Sequence, residues 1–363
     1  MSERWLVAMS GGVDSSVAAA LMLARGVEVV GVTMDLGEGA LAGTVEGQAT
    51  SKRCCGLRDA DDAKAVARTL GIRHYVANYR EAFLQEVVDP FVDEYLAGRT
   101  PIPCIACNRV LKFDRLVERA RALGARGVAT GHYARIAPGP DGEPSLFRPR
   151  DREKDQTYFL FDLPRTALAE VAFPLGDREK REVRQLAAAL GLATAEKPES
   201  QGICFVPDGD VRAAIGRLRP TAVPPSGEIV DSEGNVLGRH DGALGFTLGQ
   251  RKGLGLGAGP WYVSEVRPTE RRLSVAREAA LWRRSVEVRG AVWHEGTPPS
   301  EPVRVQIRHR HRSVTGRVCA LADGRFRVEC EEPVWAPAPG QAAVVYTQDD
   351  ERLLGGGWIV ASE

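Results

Sequence analysis

The sequence predicts an α/β amino-terminal domain built on a parallel sheet, then a small central β-rich module and a carboxy-terminal antiparallel β-barrel. Three observations predict this. Up to about residue 207, short valine-rich runs alternate with helical apolar patterns closed by glycine, as in a parallel sheet covered on both faces. After 207, Gly and Pro become frequent, helix signals fade and short strands take over. From about 282 onward, brief β segments recur: "SVEVRGAVW", "VRVQIRHR", "RFRVECEE", "AAVVYTQ" and "GGGWIVAS", a barrel or sandwich pattern. The expected domains are 1–207, 208–280 and 281–363, with no internal repeat.

Taken in order, 5–9 is a short apolar strand and 14–25 a helix that Gly26 can end at its C′ position. Residues 28–34 form a second strand, and 59–70 a helix closed by glycine. A short extended stretch at 74–77 precedes a helix near 81–97. A helix over 108–123 and a strand over 126–130 follow, and 180–190 adds one more helix. The Gly-rich stretches 37–53 and 138–145 read as mobile loops. In the second half, 226–242 reads as hairpins with Gly turns, and 262–266 pairs with 272–275.

Composition sets bounds on function. The chain has 363 residues, enough for two or three domains with a sizeable core. No apolar run approaches the ~20 residues of a membrane span, and the N-terminus shows no export signal. We therefore expect a cytoplasmic protein with reduced thiols. The seven cysteines are an odd and scattered number, unlike a disulfide framework, so a Cys-x-x-Cys pair reads as metal-binding or catalytic. Lys+Arg and Asp+Glu both total 48. A neutral chain does not advertise nucleic acid, yet local patches bind it. One such patch lies between 302 and 322, with arginines at 304, 308, 310, 312 and 317 and no acid.

The stretch "MSGGVDSS" follows the first strand and opens a helix. Gly11 and Gly12 bring backbone N–H groups close to an anion, Ser10, Ser15 and Ser16 add hydroxyls, and the helix N-terminus adds partial positive charge. No Gly-Lys-Ser/Thr is present, so this is not a Walker loop. Asp14 either positions Mg²⁺ or caps the helix. Met34 ends the second strand at the carboxyl edge of the sheet, where open α/β sheets bind ligands, and is a candidate adenine contact. Gly131 in "ATGHYA" permits close ligand approach, and His132 is expected to face the same crevice.

"PIPCIACN" places Cys104 and Cys107 three apart, with Pro101 and Pro103 stiffening the approach and Asn108 a candidate cap for the next helix. A thiolate near a helix N-terminus has a lowered pKa and is a competent nucleophile. In "VRVQIRHRHR", Val303, Val305 and Ile307 share one face, and Arg304, Gln306, Arg308 and Arg310 share the other. A one-sided arginine row suits phosphates. Cys54 and Cys55 read as structural, and Cys319 and Cys330 as buried apolar residues.

"MSGGVDSS", "PCIACNRVLKF", "ATGHYAR", "KDQTYFL", "SQGICFV", "TLGQRKGLGLG" and "GGGWI" occur here in one order. In that set the chain resembles the bacterial tRNA-specific 2-thiouridylase family (MnmA), within the PP-loop ATP pyrophosphatases of adenine nucleotide alpha hydrolase-like fold. The phosphate loop alone also fits an amide-forming ligase or synthetase, which would need an ammonia source. The resemblance implies a sulfurtransferase: ATP adenylates the C2 oxygen of the wobble uridine in tRNA, and sulfur replaces it to give 2-thiouridine, AMP and pyrophosphate. It implies ATP contacts at Ala8, Met9, Ser10, Gly11, Gly12, Val13, Asp14, Ser15, Met34 and Gly131. It places the nucleophile on Cys107, the persulfide carrier on Cys204 and the target base against Ile102, Pro103 and Cys104. It assigns tRNA contacts to His132, Lys154, Asp155, Gln156, Arg308, His309 and Gln341, with His309 standing where the family carries Tyr. Expected partners are tRNAs of the Lys, Glu and Gln type and a sulfur donor such as a cysteine desulfurase or sulfur-relay protein. Expected cofactors are ATP and Mg²⁺.

Many members carry Asp where this chain has Cys104. Two readings therefore stay open. One is a persulfide relay between Cys107 and Cys204, which would join them in a disulfide bond. The other is an iron–sulfur cluster, [4Fe-4S], on Cys104, Cys107 and Cys204, with one iron open to sulfide. Structural zinc would need a fourth ligand that is not evident.

Overall fold

The computed structural model describes residues 3–37, 41, 57–199, 202–206, 209–321 and 324–363. Cys54 and Cys55, and most of the Gly-rich stretch 37–53, lie outside the described residues. The chain divides into two compact units. One comprises Met1–Val87, Cys104–Pro207 and Glu351–Leu353; the other comprises Val88–Pro103, Asp208–Asp350 and Leu354–Glu363.

The first unit is the expected parallel sheet. Strands β1 (Arg4–Ala8), β2 (Glu28–Asp35), β3 (Arg73–Asn78), β4 (Gly127–Ala129) and β7 (Val171–Ala172) align in the order β3-β2-β1-β4-β7, and every pairing is parallel. Val7, Val29 and Ala129 pack with Val13, Val17 and Met22 of helix Val13–Ala24 and with Val183 and Ala187 of helix Lys180–Ala189. Burial of such side chains, ~25 cal/mol per Å² of apolar surface, holds these helices to the sheet. Residues 138–145, read as a mobile loop, instead supply the ends and turn of a hairpin between β5 (Arg135–Pro138) and β6 (Pro144–Phe147). There Arg165 bonds the Pro144 carbonyl at 2.9 Å and also pairs with Asp141.

Two expected helices are irregular. The stretch read as a helix over 81–97 passes through a π-helical turn, Leu84–Val88, before Asp89–Leu96. Pro90 explains it: proline has no N–H to donate and its ring crowds the carbonyl four residues back, so the ladder must widen there. The second stretch starts earlier than expected, with a turn at Pro103–Ala106, continues as a π-helical segment at Cys107–Arg115 and ends as Leu116–Ala122.

In the second unit, β8 (Gly227–Val230), β9 (Val236–His240), β10 (Tyr262–Arg267) and β11 (Arg272–Ala276) form a sheet in the order β10-β11-β8-β9. The two hairpins were legible; the parallel β8–β11 pairing that joins them was not. Helix Val211–Leu218 stands where helix signals were read as fading, started by Asp210, whose Oδ1 accepts from the Ala213 N–H at 2.9 Å. Six strands then close the barrel in the order β12-β15-β14-β13-β16-β17: β12 (Trp282–Trp293), β13 (Val303–Gln306), β14 (Val314–Ala320), β15 (Phe326–Trp335), β16 (Ala342–Tyr346) and β17 (Leu353–Ser362). Val286, Val305, Val328 and Val345 fill its interior. Cys330 joins that core as expected, whereas Cys319 is only half-buried. No described helix is long and apolar enough to cross a membrane.

Candidate active site

The phosphate loop sits at the carboxyl edge of β1. Gly11 is in the left-handed region, at φ +69°, and a Cβ there would lie 2.2 Å from the Asp59 carbonyl oxygen. Only glycine fits. Gly12 has ordinary extended geometry, and a Cβ on it would meet nothing nearer than Ser10 Oγ at 3.6 Å. Its backbone face is therefore open to an anion. Gly131 belongs to the same place: a Cβ would fall 2.7 Å from both Asp14 C and Ser15 N. The loop after β4 thus packs directly on the start of the phosphate-loop helix.

The serines differ in role. Ser10 is exposed, and its N–H donates to Ser15 Oγ at 3.1 Å. Ser16, expected to offer a hydroxyl to the anion, is fully buried. It donates to the Gly12 carbonyl at 2.8 Å and accepts from Thr194 Oγ1 at 3.0 Å, so it fastens the loop instead. Met34 stays partly exposed at the end of β2, where an adenine contact requires it. Met9 is buried, and its carbonyl accepts from Thr33 Oγ1 at 2.7 Å. Ala8 and Val13 flank the loop as the end of β1 and the start of the helix.

Two lysines that the sequence did not mark converge on this loop. Lys197 donates to the Gly11 carbonyl at 2.9 Å and to Asp59 at 2.6 Å, and also pairs with Asp62. Lys180 donates to both carboxylate oxygens of Asp14 at 2.7 Å. Tyr133 Oη donates to the same carboxylate at 3.0 Å. Burial and the Asp14 charge push the Tyr133 hydroxyl far above its ordinary pKa, so it stays a donor. Asp14 is therefore an ion-pairing group and not a helix cap. The one available signal was the nearness of Lys197 to the "SQGICFV" motif.

Cys104 lies on the opening turn at Pro103–Ala106 and Cys107 at the start of the π-helical segment. Asn108 does not cap a helix. It is buried, its Nδ2 donating to the Phe159 carbonyl at 3.0 Å and its Oδ1 accepting from Lys112 at 2.9 Å. Cys107 thus lies one turn inside the helical run rather than before it. Cys104 is exposed, with its thiol partly desolvated by the neighbouring protein. That desolvation raises its thiol pKa, only partly opposed by Lys112, and keeps the thiol protonated at neutral pH. Cys204 is exposed on the segment 202–206, which is anchored by fully buried Phe205 edge-on against Phe83 at 5.6 Å.

Among the described residues, no three His, Cys, Asp or Glu side chains are grouped to hold a metal ion. Cys104, Cys107 and Cys204 therefore form no site for a single metal ion among the described residues. Magnesium carried on a triphosphate makes a smaller demand, one or two carboxylates. Asp14 fits that demand if it exchanges Lys180 for the cation.

The expected tRNA contacts divide. Lys154 is part-exposed and pairs with Glu199 at 2.8 Å. Asp155 is buried, pairs with Arg148, and accepts from the Thr157 N–H at 2.9 Å; it builds the loop. Gln156 accepts from the Tyr133 N–H at 2.9 Å and so ties that loop to the "ATGHYA" segment. His132 does not face an open crevice. It is buried beside Phe113 and Phe173, with Nδ1 2.7 Å from Thr130 Oγ1, and burial holds it neutral.

In the second unit, Val303, Val305 and Ile307 are buried as expected, but the opposite row is not a free arginine face. Gln306 is buried too, and its Nε2 donates to the Arg308 and His309 carbonyls. Arg304 is bound to Ser313 and Thr315. Arg308 donates to the Leu248 and Ala336 carbonyls at 2.9 and 2.6 Å. The strand ends at Gln306, so His309 lies in the following turn, half-buried. Gln341 donates to the Thr100 carbonyl at 2.7 Å, and the Thr100 N–H donates to Pro339 at 2.8 Å. That clamp fixes the backbone just before Ile102 and Pro103.

Three family models match in succession: tRNA methyl transferase HUP domain over residues 3–208, tRNA methyl transferase PRC-barrel domain over 218–277, and aminomethyltransferase beta-barrel domain over 283–359. The chain is 47% identical to tRNA-specific 2-thiouridylase MnmA of Rhodospirillum centenum over 370 residues, covering 99% of this chain and 92% of that protein. It is 48% identical to tRNA-specific 2-thiouridylase MnmA of Chloroflexus aurantiacus, covering 99% and 98%. Among solved structures, a 4-thiouridine synthetase–RNA complex with bound ATP aligns at a TM-score of 0.33 and 19% identity, over 57% of this chain and 46% of that one.

Proposed function

The chain belongs to the tRNA-specific 2-thiouridylase family, and from that premise we propose how its residues divide the reaction. The enzyme is a tRNA-uridine 2-sulfurtransferase: ATP adenylates the C2 oxygen of the wobble uridine, and sulfur then replaces that oxygen. The observation that carries the division of labour is that one compact unit holds the phosphate loop, Cys104, Cys107 and Cys204 together.

The backbone of Gly11 to Ser15 and the Ser10 hydroxyl receive the triphosphate, the buried Ser15 hydroxyl holds the loop by donating to the Gly12 carbonyl at 3.1 Å, and Met34 borders the adenine. Asp14 would hold the magnesium that accompanies ATP, which would offset charge on the phosphates. The uridine C2 oxygen attacks the α-phosphate and pyrophosphate leaves. A donor loads Cys204 as a persulfide. The Cys107 thiolate then attacks the Cys204 sulfur, forming a Cys107–Cys204 disulfide and releasing hydrosulfide. Hydrosulfide adds at C2, and AMP departs with the former uridine oxygen. An external thiol restores the disulfide to two thiols. Ile102, Pro103 and Cys104 border the base, which must leave its stack to be reached. Lys154, Arg308 and His309 meet tRNA. Asp155, Gln156, His132 and Gln341 act by holding the segments beside them. We place this work in the cytoplasm, on tRNAs of the Lys, Glu and Gln type, with a cysteine desulfurase or sulfur-relay protein as donor.

We favour the relay because it needs only the Cys107 and Cys204 thiols, and among the described residues no three His, Cys, Asp or Glu side chains are grouped to hold a metal ion. Protein purified without oxygen should carry no stoichiometric iron, and Cys104→Ser should keep most of its thiolation when a persulfide donor is supplied. About four irons per chain, lost together with activity in Cys104→Ser, would replace the relay with a cluster.

A further inference from the structure

Four charges of alternating sign run in a line through the first unit. The Asp14 carboxylate holds Lys180, with both oxygens at 2.7 Å. Lys180 also reaches Glu199, at 3.1 Å. Glu199 holds Lys154 through both oxygens, at 2.8 and 3.1 Å. The Lys180 side chain is only 11% exposed, while Asp14, Glu199 and Lys154 are each about a third exposed. One end of the line is in the phosphate loop. The other is in the "KDQTYFL" segment. The hydrogen bond from Lys154, opposed by burial and seconded by the bond from Lys180, holds the Glu199 carboxyl below its usual pKa, so Glu199 stays charged at neutral pH.

We propose that this line couples the ATP site to the tRNA site by exchanging partners one step along, with Lys180 and Glu199 as the positioning residues. The inference rests on the reading that a nucleotide-borne cation reaches Asp14 and an RNA phosphate reaches Lys154. With neither ligand, two carboxylates balance two ammonium groups, Lys180 bridging Asp14 and Glu199 while Lys154 holds Glu199. With both, the cation takes Asp14, Lys180 passes to Glu199, and the phosphate takes Lys154. Every charge is paired in both states. With one ligand alone, the line carries one charge in excess: tRNA alone leaves the carboxylates of Asp14 and Glu199 with Lys180 as their one shared cation, and the nucleotide alone leaves Lys180 and Lys154 with Glu199 as their one shared anion. A partly buried unpaired charge is costly. Each ligand therefore strengthens the other, and by linkage the two effects are equal.

The test is equilibrium binding of a magnesium-bound, non-cleavable ATP analogue, with and without saturating unmodified tRNA. For the wild-type protein the tRNA should tighten analogue binding about tenfold, within the usual range of such coupling. In Glu199→Gln the ratio should fall to below about twofold, because the neutral amide cannot accept Lys180 as a charge partner. Lys154→Met should likewise lose the coupling, which keeps the test open if Glu199→Gln does not fold. A wild-type ratio near one, or an undiminished ratio in a folded Glu199→Gln protein, overturns the proposal. Affinity for tRNA alone separates the two layers. If Lys154→Met binds tRNA as tightly as wild type, the underlying placement of Lys154 is wrong and the proposal falls with it. If its tRNA binding weakens while the ratio in Glu199→Gln stays at the wild-type value, the placement stands and the exchange alone is wrong.

Discussion

A Cys204→Ser protein should make no detectable 2-thiouridine, a loss of at least about a thousandfold, while still releasing pyrophosphate from ATP when tRNA is present. The two halves of the reaction lie on different residues. Adenylation needs the phosphate loop, with Gly11 pressed on Asp59 and the Gly12 face open. Sulfur transfer needs a thiolate that can carry a second sulfur, which a serine hydroxyl cannot do. Cys204 is exposed to a donor while buried Phe205 pins the segment beneath it, so the substitution should leave the fold intact. Cys107→Ser should stop at the next stage, with the persulfide retained on Cys204 and visible as the mass of one added sulfur. Wild-type yields of 2-thiouridine from Cys204→Ser would remove it from the sulfur path.

Substitutions at the two loop glycines should separate folding from nucleotide use. Gly12→Val places its Cβ 3.6 Å from the nearest atom, in a backbone conformation open to any residue, so the melting temperature should stay within about 3 °C of wild type. The same side chain covers the backbone N–H groups that face the phosphates, and ATP-dependent pyrophosphate release should vanish. Gly11→Ala should behave in the opposite order. Its Cβ would collide with the Asp59 carbonyl in a left-handed backbone, and strain and overpacking together should destabilise the protein by about 3 kcal/mol. Normal pyrophosphate release from a folded Gly12→Val protein would move the nucleotide elsewhere.

Much of this architecture was legible because local rules and the tertiary fold agree. Valine-rich runs, glycine closures and the β1–loop–helix order defined the parallel sheet, and alternation at Val303, Val305 and Ile307 marked the barrel interior. What escaped depends on groups far apart in sequence. Lys180 and Lys197 reach the phosphate loop from helices and turns over a hundred residues away, and no periodicity in their own neighbourhoods announces a partner. His132 and Gln306 were misplaced for a related reason. Polar residues at a strand end or on an alternating row read as exposed, but His132 is enclosed by Phe113 and Phe173, and Gln306 turns back on the Arg308 and His309 carbonyls. Asn108 looked like a cap because cap chemistry is local. The helix in fact starts at Pro103, and the Asn108 side chain is satisfied by Phe159 from another segment.

The central claim is that ATP activates the uridine oxygen and that sulfur then displaces it. Following that oxygen tests the claim most directly. A tRNA carrying heavy oxygen at C2 of the wobble uridine would be thiolated by the purified protein with ATP and a persulfide donor, and the products weighed. The account predicts the heavy atom in the phosphate group of AMP, one for each 2-thiouridine formed. Heavy oxygen recovered in water or in pyrophosphate, with AMP unlabelled, would contradict it.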